Sequence, residues 1–156
     1  MQSAPTRIRQ MVADLLNCTV GANVFLERPV DEPIDEDMMP AVVVRAGAFE
    51  FERQPGDQNM AWEGEFIFDI FVASGGFYTI TEKHAEIACN IAQQIESAMD
   101  DVNSLGGMCT WFEPLGISPE EDAIADVGGV VLRFRVRFET RASDWNAIVG
   151  PGGSYF

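Results

Sequence analysis

Apolar and polar residues alternate along several stretches of the chain, and the clearest of these is VVLRFRVRFETR at 130–141. Successive residues of a strand point to opposite faces, so this alternation separates two sets of side chains. The apolar set is Leu132, Phe134, Val136 and Phe138, and the basic set is Arg133, Arg135 and Arg137. The pattern predicts a strand with one buried face and one basic face.

Two segments show helical spacing instead. Residues 3–17 have Ser3 as a candidate N-cap and an apolar stripe at intervals of three and four residues. Residues 79–100 begin with Thr79 and Glu82, which form a capping-box pattern, and continue with a second apolar stripe. The spacing predicts a helix over each segment.

Other stretches predict further strands, at 23–26, 40–47, 62–72 and 108–117. Residues 49–53 either extend the strand at 40–47 or form its hairpin partner. The strand at 62–72 would place Trp62, Phe66, Phe68, Ile70 and Val72 on one side and Glu63, Glu65, Ile67, Asp69 and Phe71 on the other. The segment at 27–40 carries six acids and three prolines. The prolines exclude a regular helix or a central strand of a sheet in this segment. It is either a solvated loop or an arm that contacts a partner.

The predicted order is helix, two to four strands, helix, two strands. Two helices can cover one face of a largely antiparallel sheet, which predicts an α+β fold in the form of a two-layer sandwich. We expect one domain at 1–141 and an extended C-terminal tail at 142–156. Aromatic residues are common interface anchors, so Trp145 and the pair Tyr155-Phe156 are candidates to fix the tail on a neighbouring molecule. The alternative is a disordered end, because GPGG precedes the last aromatic residues.

Composition narrows the class of protein. The chain has 156 residues, of which 47% are apolar, and this is enough to bury a substantial core. Its 25 acidic and 10 basic residues give a net charge of −15, which disfavours binding to the phosphates of nucleic acid. No apolar run reaches 18 residues and no secretory signal precedes the first helix, so we expect no membrane span and a cytoplasmic protein. Cys18, Cys89 and Cys109 show no CxxC spacing and are expected to be reduced thiols.

Few residues suit catalysis. His84 is the single histidine and Lys83 the single lysine, and neither belongs to a pattern of metal ligands or of a Schiff-base site. The four Gly-Gly pairs do not form a phosphate-binding loop between a strand and a helix. We therefore predict no catalytic residues, no metal and no cofactor, and a function in protein contact.

The basic face of residues 130–141 comprises Arg133, Arg135 and Arg137, with Arg141 at its end. This face has two interpretations. If the strand at 62–72 is its neighbour, its arginines pair with Glu63, Glu65 and Asp69 in a cross-strand ladder within one chain. Alternatively, the arginines bind acids of another copy, supplied by the segment 27–40 or by the loop at 120–122. The acids of the first segment that we consider are Asp31, Glu32, Asp35, Glu36 and Asp37. Ile67 and Phe71 lie on the same nominally exposed face, which favours an interface.

In its layout the chain resembles the tail terminator (tail completion) proteins of long-tailed bacteriophages. The resemblance covers residues 5–141: a helix of the form IRQMVADLL, then GANVFLERP and MPAVVVRAG, a long apolar strand, an amphipathic helix, and VVLRFRVRFETR. The segment before Pro40 and the tail after Arg141 are longer than the minimal core of that family.

The resemblance implies a structural virion protein without catalysis. Such proteins form six-membered rings on the end of a finished tail tube, stop its polymerisation and present the surface to which the DNA-filled head attaches. The implied partners are other copies of the chain, the tail tube protein and a head-completion or connector protein, while DNA passes through the lumen without specific binding. Two alternatives stay open: a head-completion or stopper protein of the same joint, and a small ligand-binding α+β domain.

Overall fold

The computed structural model describes residues 3–19, 21–26, 40–53, 55–73, 82–101, 107–119, 127–150, 153 and 155–156. Within these ranges the backbone alone is described for residues 18–19, 73, 82–85, 100–101, 119 and 127–129. The described part contains two helices and six strands, in the order α1 (Ala4–Thr19), β1 (Asn23–Phe25), β2 (Ala41–Glu52), β3 (Asn59–Ala73), α2 (Glu82–Asp101), β4 (Trp111–Pro119), β5 (Val127–Arg141) and β6 (Asp144–Ile148). The prediction of an α+β fold is confirmed.

Both helices form where their apolar spacing predicted them. Helix α1 begins as the backbone N–H of Arg7 donates to the carbonyl of Ser3 at 3.0 Å. Its buried stripe repeats every four residues, because that interval returns to the same side of a helix. The stripe comprises Ala4, Ile8, Val12 and Leu16, all fully buried. Helix α2 buries Ala88, Ile91, Ala92, Ile95, Ala98 and Met99 in the same way. The predicted capping residue Thr79 lies outside the described residues.

The strands form one sheet in the order β1-β2-β3-β5-β4, with β6 paired to β5. Strand β1 runs parallel to β2, and the other pairings are antiparallel. At the centre, β3 pairs with β5 along its whole length, from Asn59 opposite Arg141 to Ala73 opposite Val127. The two strands with the strongest alternation are therefore neighbours.

One side of the sheet and both helices share a single hydrophobic cluster. Its largest fully buried members are Phe66 and Phe68 of β3 and Phe134 and Phe138 of β5. Phe66 lies opposite Phe134, and Phe68 packs on Phe134 with ring centroids 5.5 Å apart. We call this side of the sheet the core side and the opposite one the outer side. The predicted division of the β3 and β5 side chains between the two sides of the sheet is confirmed.

Strand β2 shows how residues 40–53 are organised. The strand is continuous, but its register with β3 shifts between Ala46 and Phe49. Gly64 of β3 lies opposite Phe49, and a Cβ atom there would come within 2.5 Å of the Ala48 carbonyl oxygen and of the Phe49 ring. Glycine thus permits the bulge. Of the two arrangements considered for 49–53, extension of the first strand is observed.

The C-terminal residues return to the sheet, although the sequence predicted only an extended tail. Strand β6 pairs with the end of β5, and Ile148 is fully buried opposite Thr140. The Phe156 N–H donates to the Ile148 carbonyl at 2.8 Å, and Arg7 of α1 donates to the Asn146 carbonyl at 2.7 Å. The strand has no clear period of two because its burial pattern has neighbouring exposed and neighbouring half-buried residues. That is why alternation did not reveal it.

A candidate interface on the outer side of the sheet

The arginines of β5 form a ladder of ion pairs on the outer side. Arg133 binds Glu65 with a shortest N–O distance of 2.7 Å, Arg135 binds Glu63 at 3.2 Å, and Arg137 lies between Glu52 and Glu63 at 3.0 and 3.4 Å. We call these six residues the arginine ladder. Of the two interpretations of the basic face, the structure shows the cross-strand ladder within one chain. An additional contact with another copy stays a prediction.

Two of the ladder contacts run diagonally across the sheet. The register places Arg135 opposite Glu65 and Arg133 opposite Ile67. Each of these arginines instead reaches an acid two residues nearer the N-terminal end of β3, and a long side chain spans that distance. Ile67 has no charge to pair with Arg133, so the diagonal contact with Glu65 supplies the carboxylate for this arginine. Arg137 binds both Glu63 of β3 and Glu52 of β2, so the ladder joins three strands.

The ladder keeps Glu65 ionised. A side-chain hydrogen bond from Arg133 is the main cause that holds the pKa of Glu65 below its usual range, and the charges of Arg133 and Arg135 act in the same direction against the cost of burial. The same hydrogen bond raises the pKa of Arg133 above its ordinary value. About half of the side-chain surface of Arg133 and of Arg135 is exposed, at 49% each. Solvent and salt therefore reach these groups and screen them.

A second ion pair lies on the same side, nearer the β1 end of β2. Arg45 binds Asp69 through two guanidinium nitrogens, with Nη2 3.0 Å from Oδ1. The Asp69 side chain was predicted on the outer side as a partner of the β5 arginines. It lies on that side, but the ion pair described for it is with Arg45 of β2, and only 6% of the residue is exposed. Arg45 was not singled out from sequence. Its position after four apolar residues of β2 was the available signal.

Phe71 is buried, contrary to its predicted exposure. It was expected to be an exposed apolar residue of this face beside Ile67, but it is 6% exposed, whereas Ile67 is half-buried. Ala41 and Val43, which lie opposite Phe71 and Asp69 in β2, are buried too. The outer side is thus buried near the start of β2 and open along the arginine ladder. Of the two apolar residues on which the predicted interface was based, Ile67 is the one that remains partly exposed on the outer side.

Arg141 and Trp145 lie apart from the ladder. The guanidinium of Arg141 lies over the ring of Tyr155, 4.9 Å from its centroid, and the Tyr155 hydroxyl lies 3.3 Å from the Asn59 side chain. Trp145 of β6 packs on Phe51 and Trp62, with centroids 5.0 and 5.5 Å away. Sequence spacing alone gave no sign of either contact, because both depend on the return of the tail to the sheet.

We call Phe51, Trp62 and Trp145 the aromatic corner. Trp62 is buried and donates its indole N–H to the Thr140 hydroxyl at 2.9 Å, which satisfies both buried polar groups. Phe51 packs edge-on against Trp62 with centroids 4.5 Å apart. Phe51 and Trp145 are each 50% exposed. Trp145 was predicted from its residue type to be an interface anchor, whereas Phe51 was not singled out.

Several predicted site residues lie outside the described part of the chain. These are the acids Asp31, Glu32, Asp35, Glu36 and Asp37 and the loop at 120–122. The side chain of His84 also lies outside it. Among the described residues, the geometry brings together the arginines of β5 and the acids of β2 and β3.

No family model matches the chain, and no curated protein matches it. Among the described residues, no group of three or more His, Cys, Asp or Glu is placed to hold a metal ion. Neither described helix is long and apolar enough to cross a membrane.

Proposed function

We propose that this protein is a structural component of a bacteriophage particle, assembled as a homohexameric ring on the head-proximal end of a finished tail tube. In this role it stops polymerisation of the tube and presents the surface to which the head attaches. Its partners are its own copies, the tail tube protein and a head-completion or connector protein. It assembles in the host cytoplasm, remains in the virion, and acts without catalysis or a cofactor.

The observation that carries the proposal is the order and pairing of the elements. A helix, three strands, a second helix and three strands follow one another, and β5, the last long strand, returns to the centre of the sheet beside β3. The resemblance to tail terminators is one of this layout. In the proposal the fold is a two-layer sandwich, with both helices on the core side and the arginine ladder on the exposed part of the outer side.

The arginine ladder would supply part of the contact between copies. Arg133 and Arg135 are half exposed, so their guanidinium groups have surface free to meet carboxylates beyond Glu63 and Glu65. An acidic segment such as 31–37 of a neighbouring copy has the charge that fits them. A ring contact joins two different patches, and a basic face and an acidic arm meet that requirement.

The net charge of −15 per chain fits a ring through which DNA moves. An acidic lumen repels phosphates, so the nucleic acid passes without being held. Rings in which lumen-facing acids are replaced by amides should retain DNA in a filter-binding assay at low salt. Equal DNA retention by wild-type and neutralised rings would contradict this part of the proposal.

Electron microscopy of particles from a phage lysate that lacks this one protein tests the function. Overlong, headless tail tubes are the expected result, because a tube without its cap continues to polymerise. Tails of normal length beside separate heads would contradict the tail-capping role and indicate a head-completion or stopper protein. Intact infectious particles would contradict any role in the virion.

Complementation then tests the arginine ladder. Arg133→Gln combined with Arg135→Gln should fail to restore capped tails, whereas Arg53→Gln should restore them. Arg53 is a suitable control because it is exposed and bonds only to the Asp57 carbonyl within the adjacent turn, among the contacts described. Full restoration by the Arg133/Arg135 variant, with the variant folded by circular dichroism, would remove the ladder from the interface.

A further inference from the structure

One edge of the sheet is open along most of its length. Strand β1 pairs only with residues 41–43 of β2, although β2 continues to Glu52. No described strand pairs with β2 on that edge beyond Val43. The remaining residues of β2 are exposed or half-buried, apart from Val44. We call residues 49–52, the part of β2 after its bulge, the open edge.

The open edge is regular, unlike the part of β2 nearer β1. The register with β3 shifts between Ala46 and Phe49, and it is continuous from Phe49 to Glu52. A bulge or a proline at an edge hinders the addition of another strand. Residues 49–52 contain neither and span roughly 13 Å, at about 3.3 Å per residue. This length allows another strand to pair with the open edge.

The hydrogen bonds of the neighbouring strands show which backbone groups point outwards. In an antiparallel sheet the N–H and C=O of one residue point to the same edge, and successive residues alternate. The Arg137 carbonyl accepts an N–H on the β4 side, so its register partner Glu63 points the other way, towards β2. Glu50, opposite Glu63, points back to β3. The N–H and C=O of Phe49 and Phe51 therefore point out of the open edge.

These outward groups are available for pairing. Among the described residues, no hydrogen bond reaches the N–H or C=O of Phe49 or Phe51 from outside β3. A row of unpaired backbone groups is a template for another strand. In such strand addition, main-chain bonds supply affinity and alternate side chains supply specificity. The side chains of the open edge therefore indicate which strand fits.

Aromatic and acidic side chains alternate along the open edge. Phe49 and Phe51 pack on rings of the core side, and Phe51 is 50% exposed. Glu50 and Glu52 lie on the outer side and are exposed. Glu50 makes no ion pair among the described residues, whereas Glu52 binds Arg137 and keeps 67% of its side chain exposed. A matching strand has apolar side chains on the core side and basic ones on the outer side.

The arginines near the open edge do not neutralise Glu50. Arg45 lies beyond the bulge and binds Asp69. Arg53 donates to the Asp57 carbonyl in the adjacent turn. Glu50 itself lies opposite another acid in β3. A basic side chain from outside would therefore find an exposed carboxylate here without displacing an ion pair.

We propose that the open edge binds an extended segment of another protein in which apolar and basic residues alternate. The segment adds to the sheet beside β2. Its apolar side chains lie next to Phe49 and Phe51, and its basic side chains lie next to Glu50 and Glu52. This binding goes beyond the proposed ring and does not depend on it.

A second copy of this chain does not fit the open edge. Two open edges would place their glutamates side by side, and like charges repel across strands. Strand β4 carries Pro114 and the exposed Glu113, and β6 begins with Asp144. Strand β5 has the required alternation, but other strands already pair with both of its edges. Among the described strands, none combines the basic pattern with an edge that can pair.

Short labelled peptides test the charge pattern. A peptide of alternating valine and lysine with blocked ends should raise its fluorescence anisotropy when it binds the full chain, and the same peptide with glutamate for lysine should not. Glu50→Gln should weaken binding about two- to fivefold, the effect of one exposed ion pair. Glu96→Gln, an exposed change of equal charge on α2, should leave binding unchanged. Equal binding of the two peptides, or no binding of either, would overturn the proposal.

Backbone methylation separates strand addition from attraction between charges. One lysine peptide is N-methylated at its valines and another at its lysines, and both keep their charge. The N–H groups of the two sets point to opposite edges of an extended peptide. Methylation of one set blocks the edge that faces β2, so only one of the two peptides should bind. Equal binding of both would overturn strand addition.

Amide hydrogen exchange, followed by NMR on the wild-type chain, locates the bound peptide. Without peptide, the N–H groups of Glu50 and Glu52 should exchange slowly, because they point to β3, and those of Phe49 and Phe51 should exchange fast. The lysine peptide should slow Phe49 and Phe51. Unchanged exchange of these two amides in the presence of bound peptide would overturn the proposal.

Exchange without peptide distinguishes a second copy as the occupant. Protection of Phe49 and Phe51 that rises with protein concentration would show that another copy pairs with the open edge, which also overturns the proposal. Protection that does not depend on concentration agrees with an edge that waits for another protein only if the lysine peptide increases it. None of these results bears on tail capping, which the lysate experiment tests separately.

Discussion

At the scale of single residues, the ion pair between Arg45 and Asp69 shows that two partners of one contact need not contribute equally. The Asp69 side chain is 9% exposed, whereas that of Arg45 is 52% exposed. The arginine can keep much of its hydration without the acid, but the acid depends on the arginine for compensation of its charge. Loss of Arg45 should therefore lower the free energy of unfolding by a different amount from loss of Asp69.

This asymmetry predicts that Arg45→Ala destabilises the fold more than Asp69→Asn. The first change leaves a nearly buried carboxylate without its cation and should lower the free energy of unfolding by about 2–3 kcal/mol. The second removes the buried charge and should cost about 1 kcal/mol. Urea unfolding measures both, with Arg53→Ala as an exposed control. Equal losses from the two changes would contradict the argument.

The cysteines offer a second prediction at this scale. Burial raises the pKa of the Cys109 thiol far above its usual range, so it forms almost no reactive thiolate, while Cys89 is exposed. In a Cys18→Ser chain, a disulfide-exchange reagent should label one thiol quickly at pH 8. The Cys18→Ser/Cys89→Ser chain should be labelled only in urea. Fast labelling of that chain in its native state would show that Cys109 is accessible.

At the scale of elements, β6 stabilises the end of the sheet. Ile148 is fully buried beside Thr140, and Ile117 of β4 is 48% exposed. Ile148→Ala should therefore cost about 2–5 kcal/mol of unfolding free energy, as is typical of a buried isoleucine. Ile117→Ala, measured in dilute solution where the chain is monomeric, should cost less than about 1 kcal/mol. Similar losses for the two would mean that β6 packs loosely.

The elements also show what the sequence could predict. In β3 and β5 one side faces a hydrophobic core, so burial imposes a period of two that the sequence displays. The helices carry an equally clear stripe, with Leu16 one full repeat after Val12. In these elements, the burial that stabilises the fold also produces the periodic pattern in the sequence.

Other features depend on contacts that no local pattern reveals. The bulge in β2 follows from the close approach of Phe49 to Gly64, and β6 follows from pairing with β5. Trp145 was named from its type, but its position over Trp62 depends on the return of the tail. The burial of Phe71 was missed because a period of two identifies its side of the strand and not whether that side is covered.

At the scale of the whole molecule, the arginine ladder links stability to pH and salt. A carboxyl whose pKa is lowered in the folded chain stabilises the fold at every pH above its ordinary, unfolded value. As the pH falls from there through the lowered folded value of Glu65, that contribution is lost. The raised pKa of Arg133 has no effect in this range, since both states are protonated.

The comparison of wild type with Glu65→Gln tests this linkage. Wild type should be the more stable by a constant margin at neutral pH, and the margin should shrink in acid below the ordinary range of a glutamate. Salt at 1 M should reduce the margin at neutral pH, because the ladder is exposed to solvent. Thermal melts across pH and salt provide the measurement. A margin that grows in acid would contradict the sign of the shift.

The pairing of β3 with β5 also determines when this protein can fold during synthesis. The ribosome completes β2 and β3 early, but β5 emerges only after α2 and β4 have been made. Until then Phe66 and Phe68 lack the strand that lies beside them in the sheet. Pairings between strands far apart in sequence form slowly, on the order of milliseconds to seconds. The nascent chain therefore leaves β3 without this partner from the completion of β3 until β5 has been made, which makes it a natural client for chaperones that bind unfinished sheets.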